Sequence, residues 1–339
     1  MKEIQIGIIG SGFMGRTNAE TVTKYLDGAK LVSIAGGSRA AALAGEYNAQ
    51  HDPSPDDLLS RDDIDAVFIS TPHAVHAEHA TLACKTGKHV LLDKPMAASV
   101  EECTAIIEAG RHSGTNVMIM FGQRFRKVNI EARRLINEGV IGRVTQLHSY
   151  ALNSGGLASL PAWQSQPENL GTLFGHGIHN LDQIRWFTGQ EVTSVAAQVQ
   201  REAPSNNEVA SMVVLGLSEG TMATVWVSWT IPSPNFPNSA FSARIVGEKG
   251  ILELDAYGTL RLGCEGKWTV VTEQAPIDFK GKGMLDPVRL EAYATQGNEF
   301  LNSIRERRPA SVTGEDGRAA VQIALAAYES AARNQTVLL

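Results

Sequence analysis

The sequence predicts an α/β protein in two parts: a doubly wound parallel sheet at the N-terminus, then an α+β domain with a largely antiparallel sheet. Three observations carry this. Continuous apolar runs alternate with helical segments up to residue 122. A glycine-rich turn ends the first run and opens the first helix. Beyond residue 190 the apolar period changes from 3.6 to 2. At 339 residues the chain is long enough for two cores at roughly 100–200 residues per domain. The boundary is placed between 122 and 123, giving domains of 1–122 and 123–339.

The elements follow in order. IQIGIIG (4–10) is apolar on both faces, as a strand buried between helices must be. LVSIAG (31–36), DAVFIST (65–71), HVLLD (89–93) and NVMIMF (116–121) read the same way. Helices separate them, through about 26, near 39–47, and over 74–86 and 99–112. Helices are then expected near 127–138 and 170–188. Seven alternating runs follow: VTSVAAQVQ, EVASMVVLGL, TMATVWVSW, SARIVG, GILELD, TLRLG and KWTVVTE. Ser-Glu-Gly and Gly-Glu-Lys-Gly turns join several of them, as in an antiparallel meander. Two helices, 287–307 and 314–333, close the chain.

Composition excludes several classes. The chain is 43% hydrophobic with a formal net charge of −6, which argues against nucleic acid and anionic membrane as partners. Its densest basic run, RERR at 305–308, contains an acid and ends at Pro309. Cys84, Cys103 and Cys264 are odd in number and lack metal spacing, so neither a disulfide framework nor a zinc knuckle is expected. No apolar run approaches the roughly 20 residues that span a bilayer, and the chain runs from Met1 straight into a strand. The expectation is a soluble, cytoplasmic protein with a small-molecule ligand.

Gly10-Ser11-Gly12-Phe13-Met14-Gly15 is G-x-G-x-x-G in the strand-to-helix context that this motif needs. Gly10 allows the turn, Gly12 lets a pyrophosphate reach the backbone, and Gly15 lets helix and strand close up. The amides of the helix start then face the phosphates. Residues 1–122 are therefore read as a Rossmann dinucleotide-binding domain. The second strand ends Ala35-Gly36-Gly37-Ser38-Arg39 without the carboxylate that holds a ribose 2′-hydroxyl. Ser38 and Arg39 suit a 2′-phosphate, so the cofactor is read as NADP or NAD, with NADP favoured.

Three further stretches resemble the Gfo/Idh/MocA family of nicotinamide-dependent sugar and cyclitol oxidoreductases. They are Ser70-Thr71-Pro72-His73-Ala74-Val75-His76, Asp93-Lys94-Pro95 in place of the family's Glu-Lys-Pro, and Gly177, His179 and Asp182 as its G-x-H-x-x-D helix. Glu315-Asp316-Gly317-Arg318 before an alanine-rich helix is similar as well, and the resemblance spans essentially the whole chain. It implies that Lys94 and His179 are the catalytic pair. It also implies that Thr71, Pro72 and His76 line the nicotinamide ribose, that Asp182 contacts polyol substrates, and that Gln123 and Arg124 reach the cofactor and substrate side. Phe13, Met14 and Asp93 belong to the same cofactor set. The residue types agree: Lys94 follows a strand end, where doubly wound folds hold ligands, and partial burial lowers a lysine's pKa into a usable range.

His176, His179 and Asp182 recur every third residue and share an arc of roughly 120° on a regular helix. They are read as the polar wall of a sugar-sized cleft rather than a metal cage, and no metal is expected. Where the family usually carries an aspartate four residues before the histidine, this chain has Gly175. His176 stands beside the gap. Trp163 is a candidate for stacking on a sugar ring, and residues 153–169 are expected to shape the pocket. Two alternatives remain open: a glycoside-cleaving enzyme that uses bound NAD transiently, and a non-catalytic nucleotide or sugar sensor. Runs as apolar as VVLGL and TVWVSW need a covered sheet face, so a homodimer or homotetramer through the second domain's sheet is expected.

Overall fold

The computed structural model describes residues 3–156, 171–203, 206–237, 240–278 and 281–339. The chain forms two compact units. The first comprises Met1–Gly122 and Asp278–Arg318, the second Gln123–Ile277 and Ala319–Leu339.

The first unit contains β1 (Ile4–Ile9), α1 (Phe13–Tyr25), β2 (Ala29–Ala35), α2 (Ala40–Glu46), β3 (Gln50–His51), α3 (Pro55–Leu59), β4 (Ala66–Ile69), α4 (His76–Lys85), β5 (His89–Leu92), α5 (Val100–Ser113) and β6 (Val117–Ile119). Its six strands lie in the order β3-β2-β1-β4-β5-β6, and every pairing is parallel. Ile6, Ile8 and Ile9 of β1 and all of β4 are buried. That explains why these strands read as unbroken apolar runs. The order reverses between β1 and β4, so the chain ends of those strands open the crevice where such sheets hold ligands.

The second unit contains α6 (Lys127–Asn137), β7 (Val144–Leu152), α7 (Ile178–Thr188), β8 (Val192–Glu202), β9 (Asn207–Leu217), β10 (Met222–Ser228), β11 (Ser242–Gly247), β12 (Gly250–Asp255), β13 (Thr259–Cys264) and β14 (Lys267–Glu273). Its sheet runs β14-β13-β12-β11-β7-β10-β9-β8, with β15 (Val337–Leu338) on the β8 edge. Among the described residues only β7 with β10 is a parallel pair in this sheet. Alternation sorts the faces: Val213, Leu215, Val225 and Val227 are buried, while Met212, Val214 and Met222 are more than half exposed. Helices α6 and α7 pack on this sheet.

The central strand β7 is absent from the sequence reading. VTQLHSYAL turns Val144, Leu147, Ser149 and Ala151 inward, and an interior serine and alanine blur the apolar period. The cut at 122/123 also differs from the structure at 278–318. That stretch carries α8 (Pro287–Arg305), which packs on α1. Phe300 meets Phe68 edge to face at 5.9 Å between centroids. A side chain at Gly297 would stand 2.8 Å from Leu26 Cδ2, so glycine lets α8 approach closely. The last helix, α9 (Gly314–Arg333), begins at a reciprocal cap: Asp316 N donates to Thr313 Oγ1 at 3.2 Å and Thr313 N to Asp316 Oδ2 at 3.1 Å.

Phe300 is fully buried, so Phe300→Ala removes an anchor that joins sequence-distant halves of the first unit. The expected loss is about 3–5 kcal/mol, read from the denaturant midpoint of the intact protein. A change below about 1 kcal/mol would show that α8 contributes nothing to this core.

Candidate active site

Glycine geometry at the end of β1 sets one half of the first unit's candidate site. Gly10 has φ +113°, and Gly10 N donates to Ala35 O at 2.8 Å, docking the turn onto β2. A Cβ on Gly15 would lie 1.9 Å from Gly10 O, whereas one on Gly12 would meet only Arg39 Nη2, at 3.8 Å. Gly15 therefore closes the helix onto the turn, and Gly12 leaves the backbone bare beside a guanidinium. Phe13 is exposed at the helix start, with the Arg289 guanidinium 4.9 Å from its ring, and Met14 is half-buried. Ser38 and Arg39 are exposed beyond β2, and no acid stands at the strand end. Ser70 Oγ, at the end of β4, is buried without a protein partner. These features fit a dinucleotide: an open amide turn, a helix start, one adjacent cation and one orphaned hydroxyl.

Two strand-end loops complete this half. The buried His76 ring spans them: Nε2 lies 2.8 Å from Thr71 O and Nδ1 lies 2.8 Å from Pro95 O. Burial pushes its pKa down, with Asp93 opposing. A neutral ring donates to one carbonyl at a time, which fixes the tautomer to whichever contact dominates. Thr71 Oγ1 lies 3.3 Å from His79 Nδ1, and Pro72 opens the turn between β4 and α4. Asp93 follows β5, and its Oδ1 accepts from Lys94 N at 2.8 Å. The Lys94–Pro95 peptide is cis. Burial pushes the Lys94 ammonium below the usual lysine range while Asp93 pulls the other way. Burial likewise raises Asp93, with Lys94 and His76 opposing.

The second unit carries the histidine stretch on a helix whose start is held by one acid. Glu208 Oε2 accepts from Leu173 N at 2.8 Å and from the Tyr328 hydroxyl at 3.2 Å, and Oε1 accepts from Ser211 at 2.8 Å. Tyr328 in turn accepts from Phe174 N at 3.3 Å. Burial raises the Glu208 carboxyl, and these donors lower it. Gly171 permits the approach, since a Cβ there would lie 2.3 Å from Glu208 Oε2. Gly177 does the same against β10, where a Cβ would lie 2.6 Å from Val227 Cγ2.

Between these anchors, Leu173–Gly177 forms a turn of π-helix before α7 begins at Ile178. The wide turn removes the regular 100° step assumed for the histidine series. His176 faces Asn153, whose Nδ2 is 3.0 Å from its Nε2, and stacks at 4.7 Å on Phe241 and 5.9 Å on Trp229. His179 meets Phe241 edge-on at 5.6 Å. Asp182 is fully buried and accepts from Arg124 Nε at 2.8 Å and from Arg124 Nη2 on its other oxygen. The two expected substrate contacts, Arg124 and Asp182, therefore engage each other. Gln123 is buried and its Nε2 donates to the Tyr257 hydroxyl at 3.3 Å. A Cβ on Gly175 would meet nothing within 4 Å, so crowding does not explain the missing carboxylate. Trp163 lies outside the described residues, as does 157–169 of the expected pocket segment. Among the described residues no group of three His, Cys, Asp or Glu could hold a metal ion. No helix among them is long and apolar enough to cross a membrane.

Sequence reasoning missed Asn153, Phe241, Tyr257 and Glu208. They reach the site from turns and strands up to about 80 residues away, and nothing in their local patterns marks them.

A Rossmann unit with an open glycine turn, a half-buried strand-end lysine and a second unit presenting histidines on a glycine-anchored helix define a dinucleotide-dependent oxidoreductase. Residues 4–121 match the family model described as an oxidoreductase family with an NAD-binding Rossmann fold, and 129–253 match the GFO/IDH/MocA C-terminal domain. The chain belongs to the Gfo/Idh/MocA family of NAD-binding oxidoreductases. It is 28% identical to inositol 2-dehydrogenase 2 of Saccharopolyspora erythraea, over 98% of this chain and 94% of that one. It is 27% identical to the 2,7-anhydro-N-acetylneuraminate hydratase of Mediterraneibacter gnavus, over 100% and 97%. The crystal structure of scyllo-inositol dehydrogenase from Lactobacillus casei, with NAD(H) and scyllo-inositol bound, superposes with a TM-score of 0.83 at 26% identity, covering 99% of each chain.

Two glycine variants separate folding from binding. Gly12→Ala has room and an ordinary backbone, with φ −78°. It should keep the wild-type melting temperature while weakening NADH binding about tenfold or more in a fluorescence titration. Gly15→Ala drives a Cβ into Gly10 O and should lose stability and binding together. Unchanged NADH affinity in Gly12→Ala would remove the turn from the cofactor site.

Proposed function

We propose that this chain moves a hydride between a nicotinamide and the CH–OH or C=O carbon of a sugar, sugar derivative or cyclitol. Lys94 and His179 are assigned to the hydroxyl proton. The observation that carries this reading is Lys94 itself. It follows β5 at the carboxyl edge of the parallel sheet, is half-buried, and desolvation shifts its amine toward the neutral form.

The bound nicotinamide supplies the hydride acceptor. For alcohol oxidation the protein must take the hydroxyl proton as the hydride leaves, and a neutral amine is a base for that step. Burial of Lys94 supplies the neutral fraction, and Asp93 keeps it from falling too far. His179 serves as the second proton carrier, and His176, held by Asn153, as a substrate contact. Thr71, Pro72, His76 and Gln123 are assigned to the cofactor side. Arg124 and Asp182 act as a locked pair that fixes α7. Arg39, beside the Gly12 backbone, together with Ser38, supports NADP over NAD. The relatives' names support a carbohydrate-like substrate. One of them is a hydratase, and the empty position at Gly175 favours keeping a second reading, transient oxidation followed by elimination or addition and re-reduction.

The exposed Met212, Val214 and Met222 share one sheet face by register, Val214 opposite Thr224 and Met222 opposite Gly216. A second copy of the chain is proposed to cover it, as a dimer or tetramer. Light scattering should give a multiple of the chain mass, and Val214→Glu with Met222→Glu should shift it toward monomer. A monomeric wild type at micromolar concentration would sink this assembly.

Lys94→Ala should lower turnover by about 10²–10⁴-fold while NADH binding persists. The sign of the pH dependence follows from the depressed amine. Oxidation needs the neutral form, so kcat/KM should rise with pH through a midpoint below the usual lysine range, and reduction should fall across the same window. Lys94→Arg stays charged and should lose that limb. Full activity in Lys94→Ala would overturn the assignment.

A further inference from the structure

Among the described residues of the second unit, Arg126 is the arginine whose guanidinium has no hydrogen-bond acceptor and no ion pair. It is only 4% exposed, and its buried Nη1 has no partner. Every other arginine of that unit has one. Arg124 has Asp182, Arg133 the Phe187 carbonyl, Arg134 two glutamates, and Arg143 Glu248. Arg185 has Glu191, Arg201 the Asn206 carbonyl, Arg244 and Arg261 share Glu253, and Arg333 has Glu329. The acid nearest in sequence to the tyrosine under Arg126, Asp255, accepts from Tyr257 N at 3.0 Å and makes no ion pair with Arg126. A buried cation without a counter-charge is strongly unfavourable.

The position of this charge says what would relieve it. Its Cζ stands 4.3 Å from the Tyr257 ring centroid. Tyr257 is 6.1 Å from Phe241, and Phe241 is the ring that touches both His176 and His179. Gln123, three residues before Arg126, donates to the Tyr257 hydroxyl. The guanidinium thus ends an aromatic ladder that starts at the proposed substrate histidines. Stacking on the ring face leaves the guanidinium edge, with its in-plane N–H donors, for a planar anion.

We propose that Arg126 reads a carboxylate on the substrate, so that the chain acts on a sugar acid rather than a neutral sugar or cyclitol. This rests on the oxidoreductase reading above for the reaction, but not for the binding. The charge count favours a monoanion. The Arg124–Asp182 pair cancels internally and leaves one uncompensated positive charge, which a carboxylate neutralises and a phosphate dianion overshoots.

The test uses the intact protein with saturating NADH or NADPH. Calorimetry would compare aldonic and uronic acids of the gluco, galacto and manno series with their neutral alditols and aldoses, with hexose 6-phosphates as a separate arm. At least one acid should bind about 10–100-fold more tightly than its neutral counterpart. Arg126→Met should erase that difference while leaving neutral binding intact, and Arg126→Lys should keep part of it. Without ligand, Arg126→Met should melt at or above the wild-type temperature, because it removes an uncompensated charge. A melting temperature well below wild type would mark Arg126 as structural. Failure of every acid to outbind its neutral partner, or equal loss of both in Arg126→Met, would overturn the proposal, and preference for phosphates would overturn its carboxylate. Acid preference without nicotinamide turnover on any compound would refute the dehydrogenase reading while Arg126 keeps its role.

Discussion

One buried carboxylate governs the geometry of the second unit. Glu208 takes the first free amide of the π-turn and the Tyr328 hydroxyl on one oxygen and Ser211 on the other. The start of a helix has unsatisfied N–H groups and a partial positive charge, so an acid there satisfies both. Three donors offset part of what burial costs the charge, and burial still wins, holding the carboxyl above its usual range. Because Tyr328 belongs to α9 and also accepts from Phe174 N, the last helix and the histidine helix share one hydrogen-bonded node. His176 lies three residues beyond Leu173 and His179 six, so both rings stand within two turns of the node.

The node also explains how far the site was legible in the chain. The Rossmann unit was readable because each of its signals is local: apolar runs of four to seven residues, glycines at fixed spacing, and a lysine directly after a strand. The wall of the second unit was readable in its members but not in its geometry. A π-turn breaks the regular helical step, and the acid that accepts from its first amide, Glu208, lies 35 residues downstream in the chain. Strand β7 escaped because Ser149 and Ala151 fill interior positions that periodicity expects to be large and apolar. The place of α8 escaped for a related reason. Its partner surface at Leu26 and Phe68 lies more than 230 residues upstream, and a helix's own pattern shows which face it buries, never against what.

Electrostatics tie the two halves of the chemistry to separate supports. In the first unit Lys94, Asp93 and His76 are one coupled set: Asp93 raises both neighbours, and burial depresses both. His76 contacts carbonyls of two different strand-end loops, and the tautomer with the proton on Nδ1 is the one that ties down the loop carrying Lys94. In the second unit Arg124 and Asp182 neutralise each other in a buried two-point contact, the geometry in which a planar guanidinium best offsets desolvation. The pair ties α7 to the segment before α6.

Gly175 and Arg126 then acquire a common meaning. An aspartate at 175 would have had space, since a Cβ there meets nothing, and it would have added negative charge one residue from His176. An anionic substrate would be repelled by that carboxylate and attracted by the bare guanidinium at the other end of the Phe241–Tyr257 ladder. Loss of one acid and burial of one unpaired cation change the local charge in the same direction. A site with both changes selects against neutral polyols by leaving its own arginine unsatisfied when they bind, which is how buried polar groups produce specificity. The departure from the family pattern at Gly175 is on this proposal part of a charge reversal in the substrate wall.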